Sequence, residues 1–264
     1  MMRRARFAFA VLAFGYAFLY LPIALVIVYS FNDSSLVTVW AGFSTRWWKA
    51  LFENEAMLDA AWLSLRIGVV SATLATLLGL AAGYALARAP RFAGRTLFAS
   101  LVIAPMVMPE VVMGISLLLL FIGSDQLLGG PARGFLTITI GHVTFSLAFV
   151  AIVVQARLAD FDRALEEAAM DLGATPLVTF LTITLPLIAP ALVAGWLLAF
   201  TLSLDDLILT QFIAGAQSQT LPMRVYSSVR LGVDPQINVL GTIVVCIAAS
   251  ALVVSGWLTR HSRT

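Results

Sequence analysis

The sequence contains one cysteine, Cys246, one lysine, Lys49, and two histidines among 264 residues. A lone cysteine inside an apolar run excludes an intrachain disulfide and a cysteine-built metal site, and it says nothing about redox compartment. Charge is scarce too, since Asp, Glu, Lys and Arg make up 11% of the chain against roughly 25% in soluble domains. That shortage excludes a water-soluble globule. Sixteen basic and fourteen acidic side chains leave a net charge of +2, and the arginines fall at the ends of apolar runs rather than on a basic face. Nucleic acid is therefore not an expected partner. The alternating segments of an outer-membrane barrel are missing, and so is any internal repeat of the kind that builds many secondary carriers. No Gly-x-x-x-x-Gly-Lys loop exists, because the only lysine follows Trp48. The chain is expected not to be an enzyme, and any ATP hydrolysis must occur on another chain.

What is abundant is apolar length, with 61% hydrophobic residues and a mean hydropathy of +0.97. A membrane-crossing helix needs about 20 apolar residues, and six such segments stand out, at 7–31, 63–87, 96–122, 134–154, 187–210 and 239–258. They predict an all-α membrane protein with six transmembrane helices, forming a single domain over residues 1–264. The first segment is much longer than the 7–15 residue core of a secretory signal, so it is expected to stay as a span.

Arginine and lysine placement sets the expected orientation. With the N-terminus inside, Arg3, Arg4, Arg6, Arg88, Arg91, Arg95, Arg157, Arg163, Arg260 and Arg263 fall in about 52 inner positions. Only Arg46, Lys49, Arg133, Arg224 and Arg230 fall in about 70 outer ones, with Arg66 near an outer helix end. Both termini are thus expected in the cytoplasm. The outer stretch 32–62 is rich in aromatics and suits an interfacial belt.

The inner loop 155–186 is amphipathic. Leu165, Ala168, Ala169 and Leu172 share a helical face, and Gly173 can adopt the left-handed conformation that ends a helix. Thr175 then reads as an N-cap and Pro176 as a first helical residue. A helix, a glycine corner and a second helix make a short element shaped either to enter a groove on a partner or to lie on the membrane surface.

The run Glu167-Ala168-Ala169, then Gly173, then Ile183-Thr184-Leu185-Pro186 resembles the EAA motif of bacterial ABC-importer permeases in both residues and spacing. Ser30-Phe31-Asn32, the stretch from Trp40 to Ser44, the stretch from Pro105 to Glu110, Ser203-Leu204-Asp205-Asp206 and Thr220-Leu221-Pro222 extend the likeness to the second permease subunit of spermidine/putrescine importers. The resemblance implies a type I, MetI-like permease bundle in the cytoplasmic (inner) membrane of a bacterium, surrounded by lipid. It implies that Glu166, Glu167, Ala168, Ala169 and Gly173 couple to a cytoplasmic ATPase. It also implies a second permease subunit, two ATPase subunits that hold the ATP and magnesium, and an external (periplasmic or extracellular) substrate-binding protein. The implied substrate is a polyamine such as putrescine or spermidine, and no cofactor is expected in this chain.

Acids inside the membrane cost about 2.5–3.5 kcal/mol each at a helix centre, so they are functional candidates by default. Glu110 falls about 20 Å along the third segment and Asp205 about 27 Å along the fifth, at 1.5 Å per residue, which puts both in the outer half of the bilayer. Pro105 and Pro109 flank Glu110 and free carbonyls around it. Adjacent Asp205 and Asp206 point about 100° apart on a helix, so one is expected on the pathway and the other as a cap or in the headgroups. Trp47 and Trp48 read as membrane anchors or as aromatic faces for an ammonium group. His142 reads as packing, and Gly79 with Gly83 as a close helix approach. An ion-coupled carrier using Glu110 and Asp205, or a hydrolase using them as a carboxylate dyad, are the competing classes. Neither has a use for the inner loop.

Overall fold

The computed structural model describes residues 2–36, 39–89, 92–130, 132–232 and 234–261, with the side chains of 2–7, 128 and 251–261 left aside. Arg91 and Arg263, and the side chains of Arg3, Arg4, Arg6 and Arg260, lie outside the described residues. The described chain is helical almost throughout, its only β pairing being an isolated bridge between Asn32 and Phe43. Five of its helical stretches are long and apolar enough to cross a membrane.

Two compact units divide the chain, residues 60–224 and residues 1–59 with 225–264. In the second of these, α1 (Met2–Tyr29) packs along α12 (Gln236–His261), and Gly241 lets Val26 come close. Phe14 stacks on Phe18 and Tyr16 on Tyr20 along α1, and all four rings stand exposed within the unit, as suits lipid contact. The loop after α1 is organised by Asn32. Its buried amide donates to the Val39 carbonyl at 2.7 Å and accepts from Ala41 N at 2.9 Å, which accounts for the polar residue at the start of an aromatic loop. The short helix α2 (Arg46–Glu53) then rests on α12.

The larger unit is built around α3 (Glu55–Arg88), of which it holds residues 60–88, and α6 (Phe135–Ala159). No proline interrupts α3, and Pro90 disfavours further helix at Ala89. Ala72 and Ala75 of α3, Val150, Val154 and Leu158 of α6, and Ile188 and Ala199 of α9 (Leu185–Asp205) form one buried core. Small residues bring these helices together. A Cβ at Gly83 would lie 2.7 Å from the Ala151 carbonyl oxygen, and one at Gly79 would lie 2.7 Å from Val150 Cβ. The Gly79/Gly83 pair is therefore the seam between α3 and α6, as the spacing predicts.

Two segments expected to be single spans are interrupted. The stretch 96–122 splits into α4 (Arg95–Val107) and α5 (Glu110–Leu128), with Met108 extended and Pro109 capping α5. Proline has no N–H to donate and biases the residue before it towards extended backbone, so the chain turns there. The stretch 187–210 starts earlier and stops earlier than expected. It begins at α8 (Pro176–Thr179), widens into a π turn (Phe180–Thr184), continues as α9 and breaks at Asp206 before α10 (Ile208–Ile213). Pro186 explains the widening, because its ring would crowd the Thr182 carbonyl in a regular turn.

Replacing Gly83 by valine should cost about 1–3 kcal/mol through overpacking against Ala151 and Val154. A clear fall in the thermal unfolding midpoint of the detergent-purified protein would show it, whereas the same change at Gly123, where nothing lies within 4 Å, should cost much less.

Candidate functional site

The first candidate region is the hairpin formed by α7 (Ala164–Asp171) and α8. α7 ends in a Schellman turn, in which Ala174 N donates to Ala169 O at 3.1 Å and Gly173 N to Met170 O at 2.9 Å. Gly173 makes this possible at φ +90, a value L-residues rarely adopt. Thr175 Oγ1 accepts from Val178 N at 3.4 Å, and Pro176 opens α8, as the residue types predict. Glu167, Ala168 and Leu172 are exposed on the hairpin, with Leu172 at 91%. Ala169 is partly covered.

Glu166 differs from its neighbour. It is buried, its Oε2 pairs with Arg88 Nε at 2.9 Å, and its Oε1 accepts from Thr184 Oγ1 at 2.6 Å. It therefore faces inward, and only Glu167 of the two acids is available to a docking surface. Arg88 also lies over the Phe161 ring. Two further arginines serve the C-terminus of α3, where Arg95 Nη2 donates to Leu86 O at 2.6 Å and Arg163 Nη2 to Ala87 O at 2.8 Å.

The second region lies where α9 breaks. Asp206 accepts from Leu209 N at 3.3 Å, from Thr210 N at 2.8 Å and from the Thr210 hydroxyl, so its carboxylate caps α10. His142 of α6 sits buried against it, with Nε2 3.2 Å from Asp206 Oδ2 and 2.8 Å from Thr210 Oγ1. The other ring nitrogen, Nδ1, meets Ser203 Oγ at 2.6 Å, and Ser203 in turn bonds Ser71 of α3 at 3.1 Å. His142 is thus not a packing residue, as expected from its apolar helix, but the hub of a polar chain joining α3, α6, α9 and α10. The sequence signal was available in the hydroxyl residues at Thr137, Thr139 and Ser146 on the same helix, all buried.

Asp205 is exposed, while partly buried Glu110 opens α5 within Coulombic range of both Asp205 and Asp206. The fold thereby brings the three membrane acids together. Close packing of α10 on α5, where Phe212 lies against Gly114, holds the two helix breaks side by side. Of the three carboxylates, Asp206 is fully engaged within the chain.

Trp47 and Trp48 belong to the other unit. The Trp47 indole N–H donates to Ser34 O at 3.2 Å, and the Arg46 guanidinium sits 4.4 Å from its ring centre, so a cation already occupies that face. Trp48 stacks on Phe31 at 5.3 Å and lines a cleft with Ile243, Cys246 and Ile247 of α12, an arrangement that anchors α2.

Five helical stretches long and apolar enough to cross a membrane, with a glycine-cornered hairpin before the last of them, define a multi-pass helical membrane protein. The chain belongs to the family described as binding-protein-dependent transport system inner membrane component, which matches residues 75–263. The putrescine transport system permease protein PotI of Escherichia coli (strain K12) is 53% identical over 242 residues, covering 91% of this chain and 86% of that protein. The spermidine/putrescine transport system permease protein PotC of the same strain is 42% identical over 245 residues, covering 93% and 90%. Among solved structures, a bacterial ABC transporter involved in the import of the acidic polysaccharide alginate superimposes with a TM-score of 0.71 at 16% identity, over 98% of this chain and 96% of that one. The MetNI methionine ABC transporter does so with a TM-score of 0.60 at 17% identity, over 79% and 96%. These two show a shared fold alone.

Replacing His142 by leucine should destabilise the protein by about 1–3 kcal/mol for each buried polar partner left unpaired, Ser203 and Thr210 foremost. Thermal unfolding in detergent reads this. Glutamine at the same position keeps a donor and an acceptor and should recover part of the loss.

Proposed function

We propose that this chain is a permease subunit of an ATP-driven polyamine importer, carrying putrescine or spermidine inward across the cytoplasmic membrane. The observation that carries the reading is a pair of carboxylates that make no hydrogen bond or ion pair to the side chain of another described residue, beside a third that is fully engaged. Asp206 is consumed in capping α10, whereas Asp205 is exposed and Glu110 has no hydrogen-bonding partner among the described residues. A di- or polyammonium ion entering a bundle loses hydration, and carboxylates with nearby freed carbonyls replace it. The names of the two relatives above, both polyamine permeases, support the same substrate class. Trp47 and Trp48 serve the pathway less directly, by shaping the outer loop that meets the incoming solute.

Energy enters at the opposite end. Glu167, Ala168, Ala169 and Gly173 form the face that docks on a cytoplasmic ATPase, two copies of which bind ATP and magnesium for the assembly. A second permease subunit completes the pathway and an external binding protein delivers the substrate. Both termini and the hairpin face the cytoplasm, and α12 supplies the sixth span. The gathering of Arg88, Arg95, Arg157 and Arg163 at one end of α3 and α6 supports this orientation, because cytoplasmic loops carry the excess of basic residues. An ion-coupled carrier would have no use for the hairpin.

Glu110→Gln and Asp205→Asn should each lower maximal putrescine uptake about tenfold or more, with the quantity of assembled complex and binding by the external receptor unchanged. Full uptake in both variants, or a loss accounted for by missing complex, would remove these acids from the pathway. Cysteines at Thr45 and Gln217 should react with an impermeant thiol reagent from outside, and one at Thr175 should not. Labelling of the Thr175 position in sealed right-side-out vesicles would reverse the orientation.

A further inference from the structure

We infer that Glu166, Arg88 and Thr184 form an internal strut that makes the hairpin, the inner end of α3 and the π turn before α9 move as one body. This rests on the docking role given above to the hairpin. Three positioning residues, rather than contact residues, would then carry the displacement of the docked face into the membrane.

The geometry supports this in several ways. One carboxylate uses both oxygens, Oε2 on Arg88 at 2.9 Å and Oε1 on the Thr184 hydroxyl at 2.6 Å, and so joins segments that are 78 and 18 residues apart in the chain. Side-chain exposures of 10% for Arg88 and 11% for Glu166 mean that solvent hardly screens the pair. A second link runs beside it, from Arg163 Nη2 in the approach to α7 to the Ala87 carbonyl at 2.8 Å. Docking needs none of this, since the neighbouring Glu167 already gives the exposed face an acid. Breaking a buried pair by removing one partner is costly, so the arrangement resists separation of the elements it joins. Thr184 closes the π turn, and single π turns inside α-helices are frequent at functional sites. Tying that residue to Glu166 puts the strut across the junction between the hairpin and α9.

The test uses the assembled complex in lipid nanodiscs, with spin labels on cysteines at Asp171 of the hairpin and Leu77 of α3, in a Cys246→Ser background. The expected label separation is the same in the nucleotide-free and ATP-trapped states, because both labels ride on one body. In the Glu166→Gln variant the separation should broaden or shift with nucleotide. Uptake per ATP hydrolysed should fall about tenfold, with the ATPase still bound. The swapped pair Arg88→Glu with Glu166→Arg should restore most of the coupling, which a purely local packing defect would not allow. A label separation that changes with nucleotide in the unmodified complex would overturn the strut. So would unaltered coupling in Glu166→Gln, or loss of the ATPase that the swapped pair fails to reverse. Glu167→Ala is the separate control: full coupling there would overturn the docking reading itself, whatever the labels report.

Discussion

A helix that stops inside hydrocarbon leaves amide or carbonyl groups with no water to satisfy them, and the candidate pathway of this protein depends on how that need is met. At the break after α9 the answer is Asp206, whose carboxylate accepts from Leu209 N and Thr210 N and steadies the start of α10. At the break before α5 the answer is Pro109, which has no N–H to orphan, while Met113 N reaches its carbonyl at 3.1 Å. Capping of the first kind is worth about 0.5–2 kcal/mol, which offsets part of the insertion cost of the acid that supplies it. His142 extends this arrangement, linking the cap to Ser203 and onward to Ser71. The result is a polar seam joining α3, α6, α9 and α10, with exposed Asp205 and partly buried Glu110 beside it.

The C-terminal end of α3 meets the same need with arginine. Leu86 and Ala87 are among the last carbonyls of α3, where the macrodipole is negative, and Arg95 and Arg163 donate to them. Residues that mark orientation in the sequence thus have structural partners as well. Glu166 and Arg88 then connect the helix end to the hairpin, so the hairpin and the long helix α3 share a buried ion pair.

Much of this was legible in the residues. The spans, the Schellman corner at Gly173, the cap at Thr175 and the glycine seam follow from local rules, because each depends on residues within a few turns of one another. That one of Asp205 and Asp206 caps a neighbouring helix was also legible in outline, since neighbours on a helix cannot face the same way. The breaks at Met108 and Asp206 were harder to read. An apolar run looks continuous even where the helix within it stops, and the proline signal at 105 and 109 fixes a disturbance without its form. His142 and Glu166 were misjudged for a common reason. Their partners are 61 and 78 residues away in the chain, and no pattern within one segment reveals a contact made by folding.

The central claim is that ATP hydrolysis on a partner drives a polyamine through this chain, and uptake into proteoliposomes holding the purified complex tests it most directly. The account predicts that putrescine accumulates only when ATP and the external binding protein are both supplied, and that accumulation persists when an ionophore collapses the proton gradient. Uptake that needs no ATP, or that vanishes with the gradient while ATP remains, would contradict it.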